Sequence, residues 1–166
     1  MDEKWLLEQA AAEHFVAALN KLYATSYRVI EHSDKPDVII RDLASGDTIG
    51  IEVTHLFYNG DEAKELLGKS DESNSRPDND IVVIELIEKL NDLLEQKAQK
   101  ARGYNHNHKL SLLVRVASPV FGTDDFDRFE HYIRVPISDY RHIWLLFFNA
   151  KSEKWDVIRT LKQVVF

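Results

Sequence analysis

Asp37 and Glu52 are the residues whose setting supports chemistry. Asp37 opens the apolar run Pro36-Asp37-Val38-Ile39-Ile40, and Glu52 lies inside Gly50-Ile51-Glu52-Val53-Thr54. Side chains alternate faces along a strand, so Glu52 and Thr54 project to one side while Ile51 and Val53 enter the other layer. Between the runs, Ala44-Ser45-Gly46-Asp47 reads as a hairpin-type turn in which glycine supplies the permissive backbone. A hairpin pairing then brings the Asp37 carboxylate beside that of Glu52. Two carboxylates converging on a sheet surface suit an octahedral, oxygen-loving ion such as Mg²⁺ or Mn²⁺. The chain has no cysteine, so any metal must be held by carboxylates, imidazoles or carbonyls.

Two charged residues interrupt apolar helical stripes. At about 100° per residue, Lys97 falls in line with Leu90 and Val83, and Lys100 lies on the edge of the same stripe as a second choice. In the first helix Glu8 lies within about 20° of the line through Phe15, Leu19 and Leu22, whereas Glu13 projects from the opposite face. Each of these residues also has a purely structural reading. Asp37 would satisfy turn amides after Pro36, and Glu52 would face solvent on a half-exposed strand. Lys97 would run its stem along the core edge, and Glu8 would favour the helix dipole. His55 alternates away from Glu52, and Asn105-His106-Asn107-His108 offers two imidazoles with no further ligand nearby.

The elements that must position these groups follow from periodicity. Apolar positions predict a helix from Lys4 to Tyr23 and another from Ile81 to Ala101, the latter stopped by Gly103. Strands are expected at Tyr27 to His32, about Asp37 to Asp42, and Thr48 to Leu56, forming an antiparallel meander. Leu110 to Val116 reads as a buried strand completing a crossover unit. Asp124 to Tyr132 suggests a short helix, and Ile143 to Phe148 and Trp155 to Leu161 a final strand pair. The polar stretch from 58 to 80 is too poor in apolar residues to be core and is expected to be a mobile loop flanking a site. The fold class is therefore α/β, with a mixed central sheet flanked by helices. All 166 residues form one domain, a length at which roughly 70% of the unfolded surface can be buried.

With this order of elements, the chain resembles the PD-(D/E)XK, or restriction-endonuclease-like, nuclease superfamily. Pro36-Asp37 matches the first half of its motif, and Glu52-Val53 matches the acid and the residue whose backbone carbonyl helps bind the ion. The resemblance covers about Lys4 to Val116. Thr54 departs from the pattern, standing where the family usually has lysine, and a hydroxyl cannot neutralise a phosphate as an ammonium does. Some members carry the lysine on the following helix, which the resemblance assigns to Lys97. An acid from the first helix often completes the site, which it assigns to Glu8. Thr54 would either hydrogen-bond the attacking water or orient Glu52.

What the resemblance implies is a Mg²⁺- or Mn²⁺-dependent endonuclease hydrolysing phosphodiesters, with nucleic acid, DNA first, as partner. A homodimer joined through the aromatic C-terminal strands is the assembly it suggests. The alternative is a nuclease-fold binding or assembly module without catalysis, which the loss of lysine at position 54 and the acidic balance both favour. The formal net charge is −7, opposite to a generic nucleic-acid coat, yet a basic groove can coexist with an acidic remainder. The start of the chain lacks a signal-peptide pattern, and no stretch approaches the ~20 apolar residues of a membrane span, so a cytoplasmic location without membrane contact is expected.

Overall fold

In the computed structural model, residues 3–58, 80–103, 109–118 and 121–163 are described. Helix α1 (Glu3–Tyr23) forms because Ala11, Ala12, Phe15, Val16, Ala18 and Leu19 recur every three to four residues and make one buried face. The buried stripe ends at Leu19, and Leu22, expected to continue it, is exposed in the last turn. Ala24 adopts a left-handed backbone, with φ of 52°, and stops the helix. Asn20 then ties the helix end to the sheet, its amide donating to the Tyr27 carbonyl and its oxygen accepting the Tyr27 N–H.

Six strands make one sheet: β1 (Tyr27–His32), β2 (Val38–Asp42), β3 (Thr48–Leu56), β4 (Lys109–Val116), β5 (His142–Asn149) and β6 (Lys154–Gln163). They lie side by side in chain order. The pairs β1/β2, β2/β3 and β5/β6 are antiparallel, whereas β3/β4 and β4/β5 are parallel. Parallel neighbours need a long crossover. The first contains helix α2 (Asp80–Ala101), and the second contains helix α3 (Thr123–Arg128) with a 3₁₀ turn at Glu130–Tyr132. The expected α/β class with a mixed sheet and flanking helices is thus observed.

The sheet separates two apolar layers. On one side α1 packs Phe15 and Val16 against Val38, Ile40, Ile51, Val53, Leu113 and Trp144. On the other, α2 packs Leu86, Ile87, Leu90 and Leu94 with Leu112, Val114, Leu145 and Phe147. Strand alternation explains the division: Ile51 and Val53 serve the α1 layer, leaving Glu52 and Thr54 toward α2. The expected mobile loop at 58–80 lies almost entirely outside the described residues, as does the stretch from Asn105 to His108. Among the described residues no helix is long and apolar enough to cross a membrane.

Candidate metal centre

Asp37 is placed by a tied turn and a close approach. The Ser33 N–H donates to the Asp37 carbonyl at 2.9 Å, and the Ser33 hydroxyl donates to the Pro36 carbonyl. Pro36 packs on Gly50, where a Cβ atom would stand 2.6 Å from the proline Cγ. Only glycine allows that approach, which sets the entry of the chain into β2. Val38 then pairs with Ile51, so Asp37 arrives opposite Glu52. Val53 lies beyond the last residue paired with β2, and the Asp37 side chain takes the place of a backbone partner: the Val53 N–H donates to Asp37 Oδ2 at 2.8 Å. The N–H and C=O of a strand residue point to the same neighbour, so the Val53 carbonyl faces the same edge as Asp37, while its side chain is in the α1 layer.

Glu52 sits under the C-terminal half of α2. Lys97 Nζ lies 3.4 Å from Glu52 Oε1, and the two side chains are 15% and 8% exposed. Glu52 Oε2 is buried with no hydrogen-bond partner among the described residues. Leaving a buried carboxylate oxygen unsatisfied is costly, and a cation is the natural counterpart. The donor set fits Mg²⁺ or Mn²⁺: Asp37, Glu52 and the Val53 carbonyl are all hard oxygen donors. Among the described residues no group of three acids, imidazoles or thiols forms a complete cage. Mg²⁺ keeps several waters and is usually bound through one or two carboxylates.

Asp37 and Glu52 line one cleft of about 360 Å³ together with Lys4, Asp34, Lys35, Lys97, Lys100 and Gly103. Burial, with the neighbouring Glu52 charge second, pushes the Asp37 carboxyl up to about 7; the Val53 N–H opposes the rise, Glu8 adds to it and Lys97 opposes it. A divalent cation at Asp37 would offset both the burial and the neighbouring Glu52 charge that disfavour its ionised form. Glu8 approaches from α1, 13% exposed and 3.6 Å from Lys4. Burial raises its pKa, Lys4 lowers it, and the Glu52 charge raises it again.

The structure therefore gathers Asp37, Glu52, Lys97 and Lys100 at one cleft, with Glu8 within electrostatic reach. Thr54 is buried on the Glu52 face but does not line the cleft. Sequence reading passed over Lys4 and Lys35. Lys4 stands one helical turn before Glu8, and Lys35 directly precedes the Pro-Asp pair, so both signals were local ones. Among the described residues four lysines and three acids line the cleft, within a chain of net charge −7. Comparison with family models, curated proteins and solved structures gives no match for this chain.

Proposed function

We propose that this chain is a divalent-cation-dependent nuclease of the PD-(D/E)XK type, hydrolysing phosphodiester bonds with DNA as the first candidate substrate. The observation that carries the reading is the 3.4 Å approach of Lys97 to Glu52 Oε1 at a cleft that also holds Asp37. The lysine absent from position 54 has a counterpart on α2, on the same face of β3 as Glu52. Asp37, Glu52 and the Val53 carbonyl would hold Mg²⁺ or Mn²⁺, which when bound supplies an acidified water and polarises a phosphate oxygen. An ammonium has three donors and Glu52 engages one, so Lys97 retains donors for the charge that grows on the phosphate. Lys4, Lys35 and Lys100 are situated to bind the strand around the scissile phosphate. Glu8 acts as an auxiliary acid whose charge strengthens cation binding. Thr54, off the cleft, supports Glu52.

The test is cleavage of plasmid, single-stranded DNA, duplex DNA and RNA in Mg²⁺, in Mn²⁺ and in chelator. The expected result is cleavage of at least one substrate with either ion, none in chelator, and loss of activity in Asp37→Ala and Glu52→Ala. Cleavage indifferent to Asp37→Ala refutes the assignment. A wild-type protein that binds these substrates without metal-dependent cleavage is the non-catalytic binding module instead.

A further inference from the structure

The buried stripe of α1 ends at Leu19, one turn before the helix does, while the sheet beneath it runs on. Ile49 belongs to the α1 layer, and Lys109 is its register partner on β4, so both project to that side. On β5, His142 precedes Trp144 by two residues, and β6 sets Gln163 and Thr160 opposite them. Among the described residues these side chains form the floor of a cavity of about 300 Å³, with Leu19 and Tyr23 above. Protein interiors leave few gaps larger than a water, and this volume falls at the lower end of the range of small-molecule sites. Along the helix axis Tyr23 stands roughly 22 Å from Glu8, at 1.5 Å per residue, so the cavity is separate from the metal cleft.

The lining suits neither a bare ion nor a hydrocarbon. Four rings contribute to it, from Tyr23, Tyr27, His142 and Trp144, and the last two lie parallel within 9° at 5.0 Å. Tyr23 is 59% exposed, a large ring left at the mouth with little to gain from the core. Aromatic faces of this kind favour a flat guest. Between the rings stand the Asp47 carboxylate, the Lys109 ammonium and the Gln163 amide. The two charges serve different sides. Burial pushes the Tyr27 phenol up, and the Asp42 and Asp47 charges add to the rise, so the acid stands near β1. Burial pushes the His142 imidazole down, and Arg141 and Lys109 add to the fall, so the amine stands near β5. A matching guest has a flat ring with donors on one edge and an anionic group on a short stem.

We propose that this cavity binds a nucleoside monophosphate, its base held among Tyr23, Tyr27 and Trp144 and its phosphate on Lys109. Asp47 accepts from the amino or ring N–H groups of the base, and the Gln163 amide can both donate and accept. The nucleotide is either free or the terminal unit of a strand. The site does not rest on the nuclease reading, because neither Asp37 nor Glu52 lines the cavity.

The test is calorimetric titration of the full chain, in chelator, with adenosine, guanosine, cytidine and uridine 5′-monophosphates, with the matching nucleosides, with inorganic phosphate and with a short single strand. At least one monophosphate is expected to bind saturably, and its nucleoside at least about 10-fold more weakly, as for loss of a hydrogen bond to a charged group. Lys109→Met should erase that difference. Thr160→Trp should abolish binding by filling the cavity. Tyr23→Ala, at an exposed ring, should weaken it roughly 10-fold through lost stacking, and decides the matter if the tryptophan variant does not fold. Lys100→Ala, in the metal cleft, is expected to leave monophosphate binding unchanged. A strand that binds more tightly than every monophosphate, and loses that affinity in Lys109→Met, identifies a strand end; a strand that binds no more tightly identifies the free nucleotide. The proposal is overturned if no monophosphate binds saturably, if inorganic phosphate binds as tightly as any of them, or if binding is lost in Lys100→Ala and kept in Lys109→Met and Tyr23→Ala.

Discussion

Replacing Lys97 by methionine removes the ammonium and keeps most of the stem that covers the α2 stripe. At 3.4 Å and an effective dielectric constant of ~20, its direct attraction to Glu52 is about 5 kcal/mol. Desolvation of two largely buried groups cancels much of this, so the net loss of folding stability expected in chelator is about 1–3 kcal/mol. Among the described residues Glu52 is then left with neither oxygen partnered. A divalent cation should therefore stabilise the variant more than the wild type, and the stability gap should narrow as Mg²⁺ is added. Catalysis should not recover in the same way, because the charge on the phosphate has lost its counterpart: a fall of about 100- to 1000-fold in the cleavage step is expected. Thr54→Lys in the Lys97→Met background returns an amine to the Glu52 face from the strand itself and should restore part of the lost rate. The assay is single-turnover cleavage of a labelled oligonucleotide in Mg²⁺, with urea denaturation with and without Mg²⁺ beside it. A Lys97→Met variant that cleaves at the wild-type rate would refute the reasoning.

The raised Asp37 pKa, about 7, gives a pH dependence of defined sign. Folded Asp37 keeps its proton after the unfolded chain has released it near pH 4, so its contribution to stability declines between about pH 4 and pH 7. Allowing for solvent screening at this half-buried position, the decline is about 1–2 kcal/mol. His55, lowered to about 4 chiefly by burial with Arg115 second, gives the opposite slope between about pH 4 and 6.5. The measurement is thus the difference between wild type and Asp37→Asn by urea denaturation in chelator: the decline should vanish in the variant, and identical pH profiles would contradict the assignment. Gly50→Ala puts a Cβ into the Pro36 ring and should lower stability by about 1–3 kcal/mol while slowing cleavage by shifting Asp37; an alanine variant as stable and active as wild type would show that the Pro36 contact does not position the acid. Glu8→Gln should weaken Mg²⁺ affinity roughly 10-fold, the lower end for groups just outside a metal's own ligands, without changing the unfolding free energy in chelator by more than about 0.5 kcal/mol; unchanged Mg²⁺ affinity would remove Glu8 from the site.

Much of this arrangement was legible in the sequence because it depends on short-range periodicity. Alternation in Ile51-Glu52-Val53-Thr54 gives the face of Glu52, and the short hairpin gives Asp37 its neighbour. Lys97 and Glu8 are visible as charges on apolar helical lines, and both face the region of the carboxylates. The rest depends on distances along the chain that periodicity does not reach. Whether the Val53 N–H meets a backbone carbonyl or the Asp37 side chain turns on where β2 begins relative to β3, a matter of one residue. The packing of Pro36 on Gly50 requires the register itself. His55 and Arg115 are 60 residues apart and become neighbours only through the parallel β3/β4 pairing. Asn91 is buried on α2, donating to the Tyr132 carbonyl and accepting the Arg134 N–H, partners that lie beyond β4 in the chain.

Titration of the protein with Mn²⁺, followed by electron paramagnetic resonance of the free ion, addresses the shared-cation centre most directly. The wild type is expected to take up Mn²⁺ at a site that Mg²⁺ competes for, and Asp37→Ala and Glu52→Ala should each abolish it while remaining folded. Uptake unchanged in either variant would mean that these carboxylates do not share a cation.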